Sequence, residues 1–158
     1  MRETIANFKA VEHRLEFVRD LDGVKFYNDS KATSVDATLK ALEALSDGQG
    51  KVVLILGGRG KNAPYAPLAE LIKANVRKLV LIGEDADNIE SQLGNLAEEV
   101  RATTMQDAGE KSFASAESGD SVLLAPACAS FDMFNSFEQR GTIFKSNVEG
   151  LTSKVSEN

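Results

Sequence analysis

The spacing of apolar and polar positions changes along this chain, and each change marks an element. From Leu15 to Leu21 the two kinds alternate, Asp22-Gly23 follows, and Val24 to Tyr27 forms a second short apolar-rich run. Two such runs around an Asp-Gly pair predict a β-hairpin, ended by Asn28-Asp29-Ser30. Ahead of it, Arg2 to Val11 carries Ile5 and Phe8 and predicts a short helix. From Ser34 the period becomes helical, with Val35, Leu39, Leu42 and Leu45 on one face. Thr33 with Asp36 resembles a capping box there, and Gly48 and Gly50 close the helix.

Strands and helices then alternate. Val52 to Leu56 is a continuous apolar run ending in Gly57-Gly58, the pattern of a parallel strand buried on both faces. Helices are predicted over Leu68 to Asn75, Asp87 to Leu93 and Asp107 to Ala116. Strands are predicted over Lys78 to Ile82, Glu99 to Thr103 and Ser121 to Ala125, the last stopped by Pro126. A long helix is predicted from about Phe131, with Phe134, Phe137, Gly141, Phe144, Val148 and Leu151 along one face. These phenylalanines read most simply as core. The alternation argues for one α/β domain, a sheet with right-handed crossovers led in by an antiparallel hairpin.

Composition agrees with that class. The chain has 158 residues, 42% hydrophobic and 27% charged, enough for one domain with a core of its own. Eighteen Lys and Arg against 24 Asp and Glu leave a net charge of -6, which offers no electrostatic footprint for nucleic acid or an anionic membrane. A local basic pocket remains compatible with that balance. The single cysteine, Cys128, cannot form an internal disulfide. The N-terminal residues lack the apolar core of a signal peptide, and no run approaches the length of a membrane span. The expectation is a soluble cytoplasmic protein.

In an open α/β sheet, ligands bind beyond the carboxyl ends of the strands, and three polar clusters fall there. The first, Asn28 to Ser34, joins the hairpin to a helix N-terminus. Free N–H groups and Lys31 suit an anion, and Asp29 suits sugar hydroxyls or a cation; from spacing alone a plain capping turn with a surface lysine is the simpler account. The second is Gly57-Gly58-Arg59-Gly60-Lys61, where close backbone approach and two cations suit a carboxylate or phosphate. It is no Walker A loop, because only two residues separate Gly57 from Gly60 and Asn62 replaces the Ser or Thr. A plain strand-to-helix loop is the alternative. The third is Ala125 to Asp132, where Ser130 caps a helix or binds a carboxylate. Cys128 there reads as a small core residue rather than a nucleophile. A triad of Ser130, the lone His13 and an aspartate is conceivable from composition, but no nucleophile-elbow motif supports it. No metal-ligand spacing of His and Cys is present.

Motifs extend this reading. His13-Arg14-Leu15-Glu16, the run Tyr27-Asn28-Asp29-Ser30-Lys31-Ala32-Thr33-Ser34, the loop Gly57-Gly58-x-Gly60-Lys61, the string Pro126-Ala127-Cys128-Ala129-Ser130-Phe131-Asp132-x-Phe134, and Phe137-Glu138-Gln139-Arg140-Gly141 occur in order. Together they resemble the C-terminal domain of the D-glutamate-adding Mur ligases, over about Phe8 to Leu151. The resemblance implies a Rossmann-like, mostly parallel sheet flanked by helices. It implies residues 1–11 as the end of an interdomain linker, 12–151 as the domain and 152–158 as a polar tail. The activity implied is an ATP-dependent ligation in peptidoglycan synthesis: an acyl phosphate forms on UDP-N-acetylmuramoyl-L-alanine, and the amine of D-glutamate attacks it.

By the same resemblance, Thr33, Lys61 and Ser130 contact the D-glutamate carboxylates and Phe137 lines their pocket. Arg14 and Asp29 contact ATP, and Lys31 stands near the phosphoryl group in transfer as the catalytic cation. His13 matches in type without an assigned role. ATP and Mg2+ are the implied cofactors, held mostly by an ATPase domain outside this chain, and no metal site is expected here. The implied protein is a monomer, and this domain alone is expected to be inactive. Another Mur-type amide ligase, or a freestanding α/β anion-binding module, would present the same clusters. Two features depart from the family pattern. Pro64-Tyr65 stands where an acidic-aromatic pair is usual, and Gly109 to Ser118 is rich in serine.

Overall fold

A computed structural model describes residues 12–46 and 50–154. In chain order the elements are β1 (Glu16–Leu21), β2 (Val24–Asn28), α1 (Val35–Leu45), β3 (Val52–Gly57), a 3-10 turn (Ala66–Leu68) leading into α2 (Ala69–Asn75), β4 (Val76–Ile82), α3 (Ala86–Leu93), β5 (Glu98–Arg101), α4 (Met105–Ser115), β6 (Ser121–Leu124) and α5 (Phe137–Glu149). The six strands form one sheet in the order β1-β2-β6-β3-β4-β5. β1 and β2 pair antiparallel, from Glu16 opposite Asn28 to Leu21 opposite Val24, and the other neighbours are parallel. The expected architecture is therefore present: a mostly parallel sheet with an antiparallel hairpin at one edge.

Side chains alternate across a strand, so a buried central strand feeds two cores. Val52, Leu54 and Leu56 pack with Leu42, Leu68, Ile72 and Ile89 on the face covered by α1, α2 and α3. Val53 and Ile55 pack with Phe26, Met105, Phe113, Phe144 and Val148 on the face covered by α4 and α5. All of β3 is buried, which explains its unbroken apolar run. No helix among the described residues is long and apolar enough to cross a membrane.

The last helix departs from expectation. It begins at Phe137, not Phe131, because Ser136 is extended and its hydroxyl accepts the Gln139 N–H at 3.0 Å, ending one conformation and starting the next. Residues before it form turns, with the Met133 and Phe134 N–H groups both donating to Ser130 O. Such turns place side chains at nearly helical spacing, which explains the misleading periodicity. Ser130 is thus not the cap of α5. Phe131 is 62% exposed rather than core, whereas Phe144 is fully buried. The cap of α1 is likewise one residue later than expected: Ser34 accepts from Ala37 N–H, and Thr33 precedes it. At its other end α1 stops at Ser46; Gly48, and the helix expected over Arg2 to Val11, lie outside the described residues.

Candidate functional site

The carboxyl ends of β2, β6 and β3 lie side by side, so the three polar clusters meet at one end of the sheet. Segment 29–33 is tied there by its backbone. Asp29 N–H donates to Leu124 O at 2.7 Å, Lys31 N–H to His13 O at 2.9 Å, and Ala127 N–H to Ala32 O at 2.9 Å. His13 and Leu15 carry positive φ of 67° and 45°, a sharp lead-in that brings Arg14 round toward Asp29. A cleft of about 360 Å³ opens here, lined by Arg14, Asp29, Lys31, Asp36 and Lys40 among others. Burial pushes the Asp29 carboxyl up to about 6, against the opposing pull of the Leu15 N–H and the Arg14 charge. Arg14, Lys31 and Lys40 form no direct ion pair with the described residues, although Asp29 in the same cleft feels the Arg14 charge.

Arg140 of α5 ties two of the clusters together. It is 1% exposed. Its Nε donates to Ser30 Oγ at 2.9 Å, one terminal nitrogen to Ser30 O at 2.8 Å and the other to Cys128 O at 3.0 Å. The Ser30 hydroxyl in turn donates to Phe137 O at 2.7 Å. Among the described residues no carboxylate bonds this guanidinium, and burial pulls it down to about 10, still charged at neutral pH. Its positive charge lies beneath both loops. Above it, the Lys31 ammonium stands 5.2 Å from the centre of the Phe137 ring, and the His13 ring meets the same phenyl edge-on at 6.1 Å.

The glycine-rich loop completes this end of the sheet. Gly57 and Gly58 have φ of 134° and 138°, and a Cβ on Gly57 would fall 1.9 Å from Ile82 O. Arg59 and Ala129 exchange both backbone hydrogen bonds, at 2.9 and 3.0 Å, which lays the glycine loop alongside the segment carrying Ser130. The Arg59 guanidinium pairs with Glu84 at 3.2 Å, so Lys61 is the cation this loop leaves unengaged. Lys61 is exposed and makes no hydrogen bond or ion pair with the described residues.

The predicted residues thus divide. Arg14, Asp29 and Lys31 share the cleft, Phe137 lies beside Lys31, and Thr33 closes the same turn through its N–H to Lys31 O. Ser130 is buried on the neighbouring loop. No direct contact joins Lys61 to Thr33 or Ser130 among the described residues. Sequence reasoning assigned no role to Arg140, Ser30, Asn28 or the Tyr65–Asp85 pair described below. Arg140 was within reach only through the Gln139-Arg140-Gly141 string, since an arginine on a helix is by default a surface residue.

Other readings close. Cys128 is fully buried and its thiol is pushed up to about 11 by burial, so it is no nucleophile at neutral pH. His13 Nδ1 lies 2.9 Å from Asn28 Nδ2, which can only donate; the ring proton therefore sits on Nε2, beside Glu12. No bond links His13 to Ser130, and the triad is not formed. Glu12, His13 and Glu16 converge closely enough to suggest a metal. Lys145 occupies that place instead, donating to Glu12 at 2.8 Å and Glu16 at 3.1 Å.

Comparison with known proteins bears on the family and the fold. Residues 13–128 match the family model described as Mur ligase, glutamate ligase domain. The chain is 53% identical over 150 residues to the UDP-N-acetylmuramoylalanine–D-glutamate ligase of Solibacter usitatus, covering 95% of this chain and 33% of that protein. It therefore spans about a third of the length of this curated relative. Among solved structures, the murein peptide ligase of Psychrobacter arcticus superposes with a TM-score of 0.63 at 13% identity, over 96% of this chain and 33% of that one. The bifunctional folylpolyglutamate synthase/dihydrofolate synthase of Yersinia pestis, complexed with AMPPNP and a Mn ion, gives 0.61 at 15% identity, over 87% and 31%. At such identities the two structures speak to the fold.

Proposed function

Since the chain belongs to the Mur ligase glutamate ligase domain family, we propose that it is the amino-acid-binding domain of a cytoplasmic, ATP-dependent ligase that adds D-glutamate to UDP-N-acetylmuramoyl-L-alanine. The observation that carries this reading is the joining of the strand-end loops by Arg140, which sets Lys31 against Phe137 and the cleft beside the Ser130 loop. An amino acid that must attack through its amine is best held by its carboxylates, leaving the nitrogen untouched. Lys61 and Ser130 supply a charge and a hydroxyl for this, with Thr33 as a further polar group and the Phe137 ring as an apolar wall.

Arg14, Lys31 and Asp29 fit a nucleotide. Two cations that form no direct ion pair with the described residues suit phosphate oxygens, and a buried carboxyl suits ribose hydroxyls. ATP would supply the phosphoryl group that activates the carboxylate of the acyl donor, UDP-N-acetylmuramoyl-L-alanine, as an acyl phosphate, and phosphate leaves when the D-glutamate amine attacks. Lys31 then stabilises negative charge developing in the transfer, and the Phe137 ring beneath it keeps that ammonium in place. By the family resemblance Mg2+ is held mainly by ligands beyond this chain, and Asp29 and Asp36 are the carboxylates among the residues lining the cleft. By the same reading the domain works only when closed against the remainder of a ligase of the relatives' length.

The test is kinetic. In a ligase of that full length carrying this domain, Lys61→Ala and Ser130→Ala each remove one polar contact to a carboxylate. The KM for D-glutamate rises about tenfold to a hundredfold, as the loss of a charge-assisted hydrogen bond implies. The KM for the UDP-linked substrate stays near its original value. An unaltered D-glutamate requirement in both variants defeats the assignment.

A further inference from the structure

One residue, Asp85, holds both ends of the loop that carries Lys61, the first through its backbone N–H and the second through its carboxylate. Asp85 N–H donates to Gly58 O at 2.9 Å, at the loop's start. At its end, the buried Tyr65 hydroxyl donates to Asp85 Oδ2 at 2.5 Å. The same hydroxyl lies 3.1 Å from Cys128 Sγ, and Tyr65 N–H donates to Gln92 Oε1 at 2.7 Å. Between these anchors the backbone runs against Asp85 itself, since a Cβ on Gly60 would meet its Oδ2 at 2.4 Å. Asn88 Nδ2 donates to the same oxygen at 3.2 Å and orients the carboxylate. Residues 61–64 are exposed, and their side chains make no hydrogen bond or ion pair with the described residues. Lys61 therefore owes its position to the two anchors.

We propose that Asp85 and Tyr65 are positioning residues that hold the Lys61 ammonium where it meets a carboxylate of the incoming amino acid. The inference rests on the assignment of Lys61 made above and adds the machinery behind it. A lysine on a loose loop must be ordered on binding, and that ordering subtracts from affinity. A loop fixed at both ends, with a glycine pressed to the anchoring carboxylate, is ordered beforehand. The phenol is well suited to the task. Burial pushes its acidity far down, and Asp85 strengthens that effect, so it remains a donor at every pH at which the protein works.

The experiment uses the full-length ligase carrying this domain and reads kcat and the KM of each substrate. Tyr65→Phe preserves the packed ring and removes only the hydroxyl. Gly60→Ala, on the exposed loop, pushes the backbone off Asp85 from the other side. Each raises the KM for D-glutamate about tenfold and leaves kcat and the KM for the UDP-linked substrate within about twofold. In a Lys61→Ala background the same changes add nothing, because the residue they position is gone. Melting temperatures within a few degrees of the parent verify that Tyr65→Phe folds. If Lys61→Ala raises the KM and neither loop change does, the positioning role is wrong and the site assignment stands. Equal effects with and without Lys61 also overturn it. If Lys61→Ala itself has no effect, the failure lies in the site assignment.

Discussion

Arg140 Nε donates to Ser30 Oγ across 110 residues of sequence, at 2.9 Å and out of contact with solvent. A charged fork in this place satisfies three acceptors on two loops at once, Ser30 Oγ, Ser30 O and Cys128 O. Each would otherwise be a buried acceptor with a diminished set of partners, and such groups are expensive to leave unmade. The guanidinium thus substitutes for a direct loop-to-loop contact.

Arg140→Lys tests this. The ammonium keeps the charge but cannot present donors in the planar geometry of the three bonds. Stability falls by about 2 kcal/mol, measured by urea denaturation, and amide resonances shift in both the Asp29–Thr33 and Cys128–Ser130 segments. A variant as stable as the parent shows that the fork is not needed.

Asp29 makes stability depend on pH. Its carboxyl is raised to about 6 by burial, so between about pH 4 and that value the folded protein keeps a proton the unfolded chain has released. The folded state is favoured at the acid end of this window and loses the advantage as pH rises through about 6. The loss is at most about 3 kcal/mol, taking 1.36 kcal/mol per pH unit. Asp29→Asn removes the titration, so its unfolding free energy varies less over the window and exceeds the parent's at neutral pH. Parallel pH profiles for the two proteins defeat the prediction.

Gly141→Ala reverses the usual rule for helix interiors, where alanine is favoured by about 1 kcal/mol. A Cβ here falls 2.1 Å from His13 Nδ1 and 3.0 Å from Asn28 Nδ2. His13 is buried and bonded to Asn28, so it cannot swing away freely. Overpacking of this kind costs about 1–3 kcal/mol. Net destabilisation of about 1 kcal/mol is expected, with displaced His13 ring resonances. A gain in melting temperature contradicts the contact.

Cys128 offers a chemical check on the core beneath the site. With its thiol raised to about 11 and its side chain covered, iodoacetamide at neutral pH labels it only as fast as the protein opens. Full labelling in denaturant, and slow labelling without it, are the expected outcomes. Rapid labelling of the native protein shows that the loop above it opens readily.

Local patterns carried much of the architecture. The Asp22-Gly23 turn specifies the β1–β2 hairpin, and the apolar runs at β3, β4 and β6 mark strands buried on both faces, because a strand's period of two and its turn chemistry are local properties. Loops at the carboxyl ends of the strands were legible for the same reason, which is why Asp29, Lys31, Lys61 and Ser130 stood out in sequence, whereas Arg14, ahead of β1, entered through the family resemblance. Where two local signals competed, the sequence misled: the phenylalanine spacing hid the true start of α5, which a serine hydroxyl sets at Ser136.

Partners distant in sequence belonged to tertiary structure alone. That Arg140 is buried depends on Ser30 O, and that Tyr65 can anchor a loop depends on Asp85 and Cys128, none of which a local window contains. A residue's type and neighbours determine which bonds it can make. Which partner it meets is decided only when the parallel sheet brings the ends of β2, β3 and β6 together, since the burial that gives a polar group its energetic weight exists only in the folded chain.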